Sequence, residues 1–506
     1  MKDEKILKIV RIIMMNTYEL LSSLKMKQVF GMVPDHIQAL QDDSRKVVKD
    51  SMFICIRGYT VDGHNYYSEA IRNGATVIIA EEKLDIDLDH VALVVVKDSK
   101  KALALLACKF YGYPSSHLKI FGVTGTNGKT TVTSLINHVL KKSGQKTALS
   151  GTIGSQLDEA FSSSPNTTCD ALTNQQMMKK AYDADIKNMV MEVSSHGLSQ
   201  GRLWGVDYDI VTFTNLTQDH LDYHNTMDEY GYTKGLLFAQ LGNDLTKEKF
   251  VVLNQDDPWF EKYSIMSPAE VISYGIQSDA HFKAEDIDCQ ENGTEFNLIT
   301  PEGTYRMSIN LLGEFNVYNT LAAIASLYAK GDIPLERIIH SVQEMRPVSG
   351  RMEKIDVDSP ITIYLDYAHT PDAIEKAITT VQPFKRNRLI FVAGTGGNRD
   401  ELKRPIMAEK ASAADYVILT VNDPRFEDPS SILYDMEKGM RHNNYDMIPD
   451  RKEAIHQAID ISEPGDIIII AGKGQEDYQV IEDKKYPHSD KKIALEKCMS
   501  KYPYTV

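Results

Sequence analysis

A glycine loop, Thr124-Gly125-Thr126-Asn127-Gly128-Lys129-Thr130-Thr131, follows the apolar run Ile120 to Val123 and opens a helical pattern from Val132 to Lys141. Strand, glycine loop, helix is the order a phosphate cradle needs. The glycines let backbone N–H groups turn inward, and the helix N-terminus adds its partial positive charge. Lys129 is then placed to reach terminal phosphates, and the Thr130 hydroxyl to ligate Mg²⁺. The loop is shorter than the usual Walker A pattern, but its context predicts a nucleotide-binding domain around it.

Apolar runs rich in Val and Ile alternate with helical patterns along most of the chain: Met52 to Ile56, Ala75 to Ala80, Val91 to Val96, Ile120 to Val123, Met189 to Val193 and Ile210 to Thr214. A second set follows at Leu389 to Ala393, Tyr416 to Thr420 and Asp466 to Ala471, its runs ending in polar or Gly-rich residues. Such alternation predicts an α/β protein with largely parallel sheets. Between Tyr274 and Ile309 the pattern changes to short strands with Gly turns, predicting an antiparallel ribbon on the central domain. At 506 residues the chain has room for about three domains. Pro, Gly and Ser at Tyr111 to Ser116 and Arg346 to Gly350 mark the joints. We therefore expect domains at 1–115, 116–347 and 348–506, the central one resembling a P-loop ATPase and the last Rossmann-like.

The formal net charge of -15 offers no electrostatic footprint for nucleic acid. The stretch Ile6 to Met15 is interrupted by Lys8 and Arg11 and reads as a short amphipathic helix, not a secretory segment. No apolar run approaches the roughly 20 residues needed to cross a bilayer, so a cytoplasmic protein without direct membrane insertion is expected. The five cysteines lie far apart with no Cys-x-x-Cys pair and read as reduced thiols.

A nucleoside triphosphate also needs a carboxylate for its metal, and Glu192 closes the run Asn188 to Met191 as a natural Mg²⁺ ligand. The next strand runs into Asn215-Leu216-Thr217-Gln218-Asp219-His220-Leu221-Asp222-Tyr223-His224, where His220 is a second candidate metal ligand. This segment resembles the signature of the Mur ligases that form the UDP-N-acetylmuramoyl tripeptide of peptidoglycan. Further matching segments are Asp43-Ser44-Arg45, Asp62-Gly63-His64, Asn166-Thr167-Thr168, Glu192-Val193-Ser194-Ser195-His196, Phe315-Asn316-Val317-Tyr318-Asn319, Gly350-Arg351-Met352-Glu353 and Asp366-Tyr367-Ala368-His369-Thr370-Pro371.

The resemblance implies an amino-terminal domain holding a UDP-sugar, a central domain binding ATP and a carboxy-terminal domain bringing the amino acid. It places Ser44 on the uridine nucleotide, and Thr167, Thr168, Ser194, Gln200 and Arg202 on the muramoyl dipeptide. Asn316, Arg351, Asp366 and His369 fall to nucleotide and interdomain contacts. Lys234, which alone would read as a solvated helix lysine, becomes a lysine carbamylated by CO₂ that helps hold a second Mg²⁺ with His220. In diaminopimelate-adding relatives the residues matching Arg399, Arg425, Gly472 and Glu476 surround the amino acid. Two arginines suit two carboxylates, and Glu476 suits a distal ammonium. The usual Asp-Asn-Pro-Arg order appears here as Asn422-Asp423-Pro424-Arg425, and Gln475 stands where His is common.

The expected activity is ATP-dependent amide ligation. The substrates are UDP-N-acetylmuramoyl-L-alanyl-D-glutamate and a free amino acid, meso-diaminopimelate favoured over lysine, ornithine or another. A monomer is expected. Rival readings are a folylpolyglutamate synthetase or another Mur ligase step, a catalytically inactive nucleotide-binding paralogue, and a ligase recruited to a dedicated pathway.

Overall fold

The computed structural model describes residues 14–58, 61–163, 166–244 and 246–503. The helix expected over Ile6 to Met15 lies almost wholly outside them; Met15 opens a two-residue strand.

The apolar runs form three sheets. In the first, five strands run in the order Lys27–Phe30, Ala92–Val96, Ala75–Ala80, Ser51–Ile54 and Ala39–Gln41, antiparallel at the first pair and parallel thereafter. The last has six strands, ordered Glu353–Lys354, Thr362–Asp366, Ile467–Ala471, Leu389–Thr395, Tyr416–Val421 and Tyr445–Met447, parallel apart from its first edge. Ile468, Ile469 and Ile470 are fully buried, as a parallel strand covered on both faces requires.

The central sheet has eleven strands. Its parallel heart places Lys119–Thr124 between Asn188–Glu192 on one side and Ile210–Phe213 on the other. The chain leaves Lys119–Thr124 for Thr147–Ser150, two places away beyond Asn188–Glu192, and later fills the opposite side. The strand order therefore reverses at the glycine loop, and such a reversal opens a crevice at the carboxyl ends of the strands. The antiparallel ribbon is present as Phe282–Gln290, Gly293–Thr300 and Gly303–Ile309, but it extends this same sheet. Its inward residues Phe296, Leu298 and Met307 share a core with Val317, Leu321 and Ile324 of helix Glu314–Lys330. Burying that face adds apolar area to the helix that supports the crevice.

Candidate active site

The crevice is lined first by the glycine loop. Its backbone is held by the neighbouring strand end, where Asn215 accepts from Thr126 N–H (2.8 Å) and Asn127 N–H (3.0 Å). Gly128 lies at φ +90°, and a Cβ there would stand 2.2 Å from Asn319 Oδ1. Only glycine satisfies both the left-handed backbone and that close approach. Lys129 Nζ donates to the carbonyls of Gly125 and Thr126, both at 2.9 Å, so its amine curls over the loop. Burial holds it below the ordinary lysine range.

Glu192 is buried at the end of its strand, beside Val123 in register, and accepts from Thr152 N–H (3.0 Å) and Thr152 Oγ1 (2.9 Å). Thr130 Oγ1 accepts from Arg351 (3.0 Å). His220 sits at φ +57°, its Nε2 3.3 Å from Asp219 Oδ2. Burial lowers its imidazole to about 3, and neutral imidazole is the form that ligates metals. Among the described residues, no three His, Cys, Asp or Glu side chains cluster as a metal site. What is present suits Mg²⁺, which takes one or two protein oxygens and keeps several waters.

Lys234 comes from helix Met227–Ala239, and the structure departs from the solvated lysine its bare sequence suggests. It is 1% exposed, donates to Gly125 O (2.9 Å) and stands 4.5 Å above the Tyr230 ring. Burial, then the neighbouring Lys129 charge, holds its pKa well below the lysine norm. A buried amine whose charged form is disfavoured is the kind of nucleophile that CO₂ requires.

Beside Glu192 lies a connected polar cluster. Thr168 Oγ1 donates to Glu192 O (2.9 Å) and accepts from Ser194 N–H (3.0 Å). Ser194 caps helix Ser195–Ser199 through Gly197 N–H (3.1 Å). Arg202 donates to Gln200 Oε1 (2.7 and 3.0 Å) and to Thr168 O (2.9 Å), and Thr167 meets Thr152 at 3.0 Å. Ser44 is in the first sheet's domain, buried, with its hydroxyl donated to Glu69 (2.6 Å).

The carboxy-terminal domain closes over this crevice. Asn127 donates to Asp372 (2.9 Å), Arg351 reaches Thr130, and Lys403 donates to Asp219 (3.1 Å). Arg351 stacks 4.4 Å from the Tyr367 ring, while Asp366 accepts from Met352 N–H (2.7 Å) and Ala368 N–H (2.8 Å). Burial lowers His369 to about 4. Asn316 accepts from Asn319 (3.0 Å), tying the helix start to the residue beneath Gly128.

Arg399 and Arg425 share one loop cluster; burial, then the Arg399 charge, lowers the Arg425 pKa. Arg425 donates to Gly397 O (3.0 Å). Asp423 accepts from Lys473 (3.0 Å), which also donates to Glu476 (2.8 Å), and Tyr367 reaches Glu476 at 3.3 Å. Pro424 carries the turn between Asp423 and Arg425. Asn422 faces inward: its Oδ1 accepts from the buried Arg451 (2.7 Å), which also donates to Ala471 O (2.8 Å), next to Gly472. Sequence reasoning singled out none of Arg451, Lys403, Asp372 and Thr152. Asn319 was legible only as part of a matching segment.

Three family models cover most of the chain. "Mur ligase family, catalytic domain" matches residues 36–111, "Mur ligase middle domain" 123–327 and "Mur ligase, glutamate ligase domain" 350–474. The chain is 53% identical to UDP-N-acetylmuramyl-tripeptide synthetase 2 of Oceanobacillus iheyensis, covering 95% of this chain and 98% of that protein. It is 47% identical to the UDP-N-acetylmuramoyl-L-alanyl-D-glutamate–2,6-diaminopimelate ligase of Geobacillus thermodenitrificans (91% and 94%). It is 42% identical to the corresponding L-lysine ligase of Staphylococcus haemolyticus (96% and 99%). With three family models in order along its length and a relative 53% identical over nearly the whole of both proteins, this chain belongs to the Mur ligase family, among its UDP-N-acetylmuramyl-tripeptide synthetases, and is an ATP-dependent ligase of an acid to an amino acid.

Proposed function

We propose that this ligase adds the third amino acid, meso-diaminopimelate in the favoured reading, to UDP-N-acetylmuramoyl-L-alanyl-D-glutamate in cytoplasmic peptidoglycan synthesis. The observation that carries the proposal is the meeting of two half-sites. Arg351 of the acceptor-side domain donates to Thr130 of the glycine loop (3.0 Å), with Arg399 and Arg425 on the same side of the cleft as Arg351.

A carboxylate is a poor electrophile, so its oxygen first attacks the ATP γ-phosphorus, ADP leaves, and an acyl phosphate forms. Lys129 and the amides of Gly128 to Thr130 hold the phosphates, while Arg202 and the Thr167, Thr168, Ser194 and Gln200 cluster hold the dipeptide. The neutral amine of the amino acid then attacks the acyl carbon. Phosphate departs with one oxygen from the original carboxylate, and the amine's proton passes to solvent. Closure of the Asn127–Asp372 and Arg351–Thr130 contacts excludes water from the acyl phosphate. Thr130 and Glu192 would hold Mg²⁺, with His220 and a carbamylated Lys234 serving a second ion, which when bound neutralises charge on the transferring phosphoryl group. Ser44 would serve the uridine end, its hydroxyl oriented by donation to Glu69 (2.6 Å) and its carbonyl held by Asn73 (2.9 Å).

Arg399 and Arg425 match two carboxylates, which supports diaminopimelate. A second reading has a specific basis: Asp423 and Glu476 both flank Lys473, and a cationic side chain such as lysine or ornithine would find two carboxylates there. Phosphate release with ATP, Mg²⁺ and the UDP-dipeptide, run against meso-diaminopimelate, lysine and ornithine with product mass, separates them. Diaminopimelate-dependent release supports the favoured reading, another amino acid overturns the acceptor, and silence across the panel overturns the proposed substrates.

A further inference from the structure

Lys403 opens helix Lys403–Ala411 in the carboxy-terminal domain, four positions beyond Arg399. Such a lysine ordinarily keeps its ammonium in water. Here its side chain is 8% exposed and reaches across the domain junction to Asp219, itself 4% exposed, at 3.1 Å. Asp219 is bound from its own side as well. Its Oδ1 accepts from His220 N–H (2.9 Å), its Oδ2 lies 3.3 Å from His220 Nε2, and His369 Nε2 approaches to 3.8 Å. One carboxylate thus joins the backbone and ring of His220, on the nucleotide side, to the helix that begins just after the acceptor loop.

The physics of a buried pair decides what this contact does. Desolvating an ammonium and a carboxylate consumes most of their attraction, so the pair adds little net stability. A mispaired partner is expensive, however, because either charge buried alone is uncompensated. Such a contact makes one docked arrangement the favoured one and penalises near misses. Among the other junction contacts, Asn127 with Asp372 and Arg351 with Thr130 each include a neutral partner, and the charged pairs of Glu291 with Lys354 (2.9 Å) and Arg386 (3.3 Å) are solvent-exposed, so these tolerate small displacements better.

Resting on the ligase reading above, we propose that Lys403 is a positioning residue that keys the closed state. Through Asp219 it registers the acceptor loop carrying Arg399 against the nucleotide side of the cleft. Its work is to bring the amine to the acyl carbon before water arrives, not to bind nucleotide or amino acid itself. Because misplacement by about 1 Å can cost about a hundredfold in rate, loss of the key should appear in turnover and coupling.

The test uses the full chain, with Lys403→Met and Lys403→Arg beside the wild type. X-ray scattering with AMPPNP and Mg²⁺ reads closure without any turnover; nucleotide affinity and phosphate released per amide formed are measured in parallel. The expected Lys403→Met protein binds AMPPNP normally, stays more open, turns over about tenfold or more slowly and releases more than one phosphate per amide. Lys403→Arg should restore part of both closure and coupling. Wild-type closure and coupling in Lys403→Met would overturn the proposal, as would a loss confined to nucleotide affinity. If the wild type forms no amide with any acceptor, the ligase reading fails by itself, and the scattering comparison still decides whether Lys403 keys closure.

Discussion

Replacing Arg451 by methionine keeps the apolar stem while removing the guanidinium and its charge. Arg451 is fully buried, with two bonds to Asp490 (2.6 and 2.9 Å), one to Asn422 Oδ1 (2.7 Å) and one to Ala471 O (2.8 Å). After the change Asp490 would keep His488 (2.8 Å) as a side-chain partner. Burial alone would raise the Asp490 carboxyl, yet the facing Arg451 and His488 hold it at about 2, so it is an anion at neutral pH. Removing one partner of such a pair costs about 3–5 kcal/mol. Hydrogen exchange in strand Ile467–Ala471 and helix Arg451–Asp460 should therefore quicken by about two to four orders of magnitude. The central domain, which contains both tryptophans, Trp204 and Trp259, should show unchanged fluorescence unfolding. Because Asn422 and the start of the Gly472 loop lose their brace, the amino-acid KM should rise while nucleotide affinity holds. Adding Asp490→Leu should recover at least half of the lost protection, since it removes the stranded charge. Acceleration of less than about tenfold, or a double variant no better protected than the single, would refute the reasoning.

Other outcomes follow from the same geometry. Gly128→Ala should fold yet lose nucleotide affinity, since its Cβ would stand 2.2 Å from Asn319 Oδ1 at a left-handed φ; isothermal titration with ADP checks this, and normal affinity would contradict it. With ¹³C-bicarbonate, the wild type should show a carbamate resonance absent from Lys234→Ala, and acidification should erase it as the amine protonates; no resonance would count against the modification. His196 and His369 are lowered to about 4 and His220 to about 3, each chiefly by burial, so the unfolded chain binds more protons below about pH 6.5. Stability should then fall as pH drops from 6.5 towards 4, against the opposing effect of Asp42, whose carboxyl burial raises to about 6. A melting temperature that is flat or rising over that interval would contradict the sign.

Local order made the glycine loop legible. A strand, a turn needing positive φ and a helix are contiguous, so Gly125 to Thr130 could be read without knowing the fold. Glu192 was legible for a related reason, since a carboxylate ending an apolar run must emerge at a sheet's carboxyl edge. The parallel sheets followed from runs buried on both faces, and the ribbon expected on the central domain extends its sheet at 282–309. Contacts made by distant segments were not legible. Lys403 and Asp219 are 184 positions apart, Asn127 and Asp372 are 245 apart, and neither pair carries a local pattern. Lys234 shows the same limit, because its helix sequence says nothing of the loop carbonyl that buries its amine. Asn422 and Asp423 are adjacent, yet one faces Arg451 inside and the other Lys473. That difference belongs to the loop's backbone, not to its composition.

In the proposed function, phosphorylation activates a carboxylate before an amine attacks it. The most direct measurement labels the reacting D-glutamate carboxylate of the UDP-dipeptide with oxygen-18 and reads the inorganic phosphate by mass after turnover with ATP, Mg²⁺ and the accepted amino acid. Acyl-phosphate chemistry transfers one labelled oxygen to each phosphate. Unlabelled phosphate, with amide formed at the normal rate, would contradict the account.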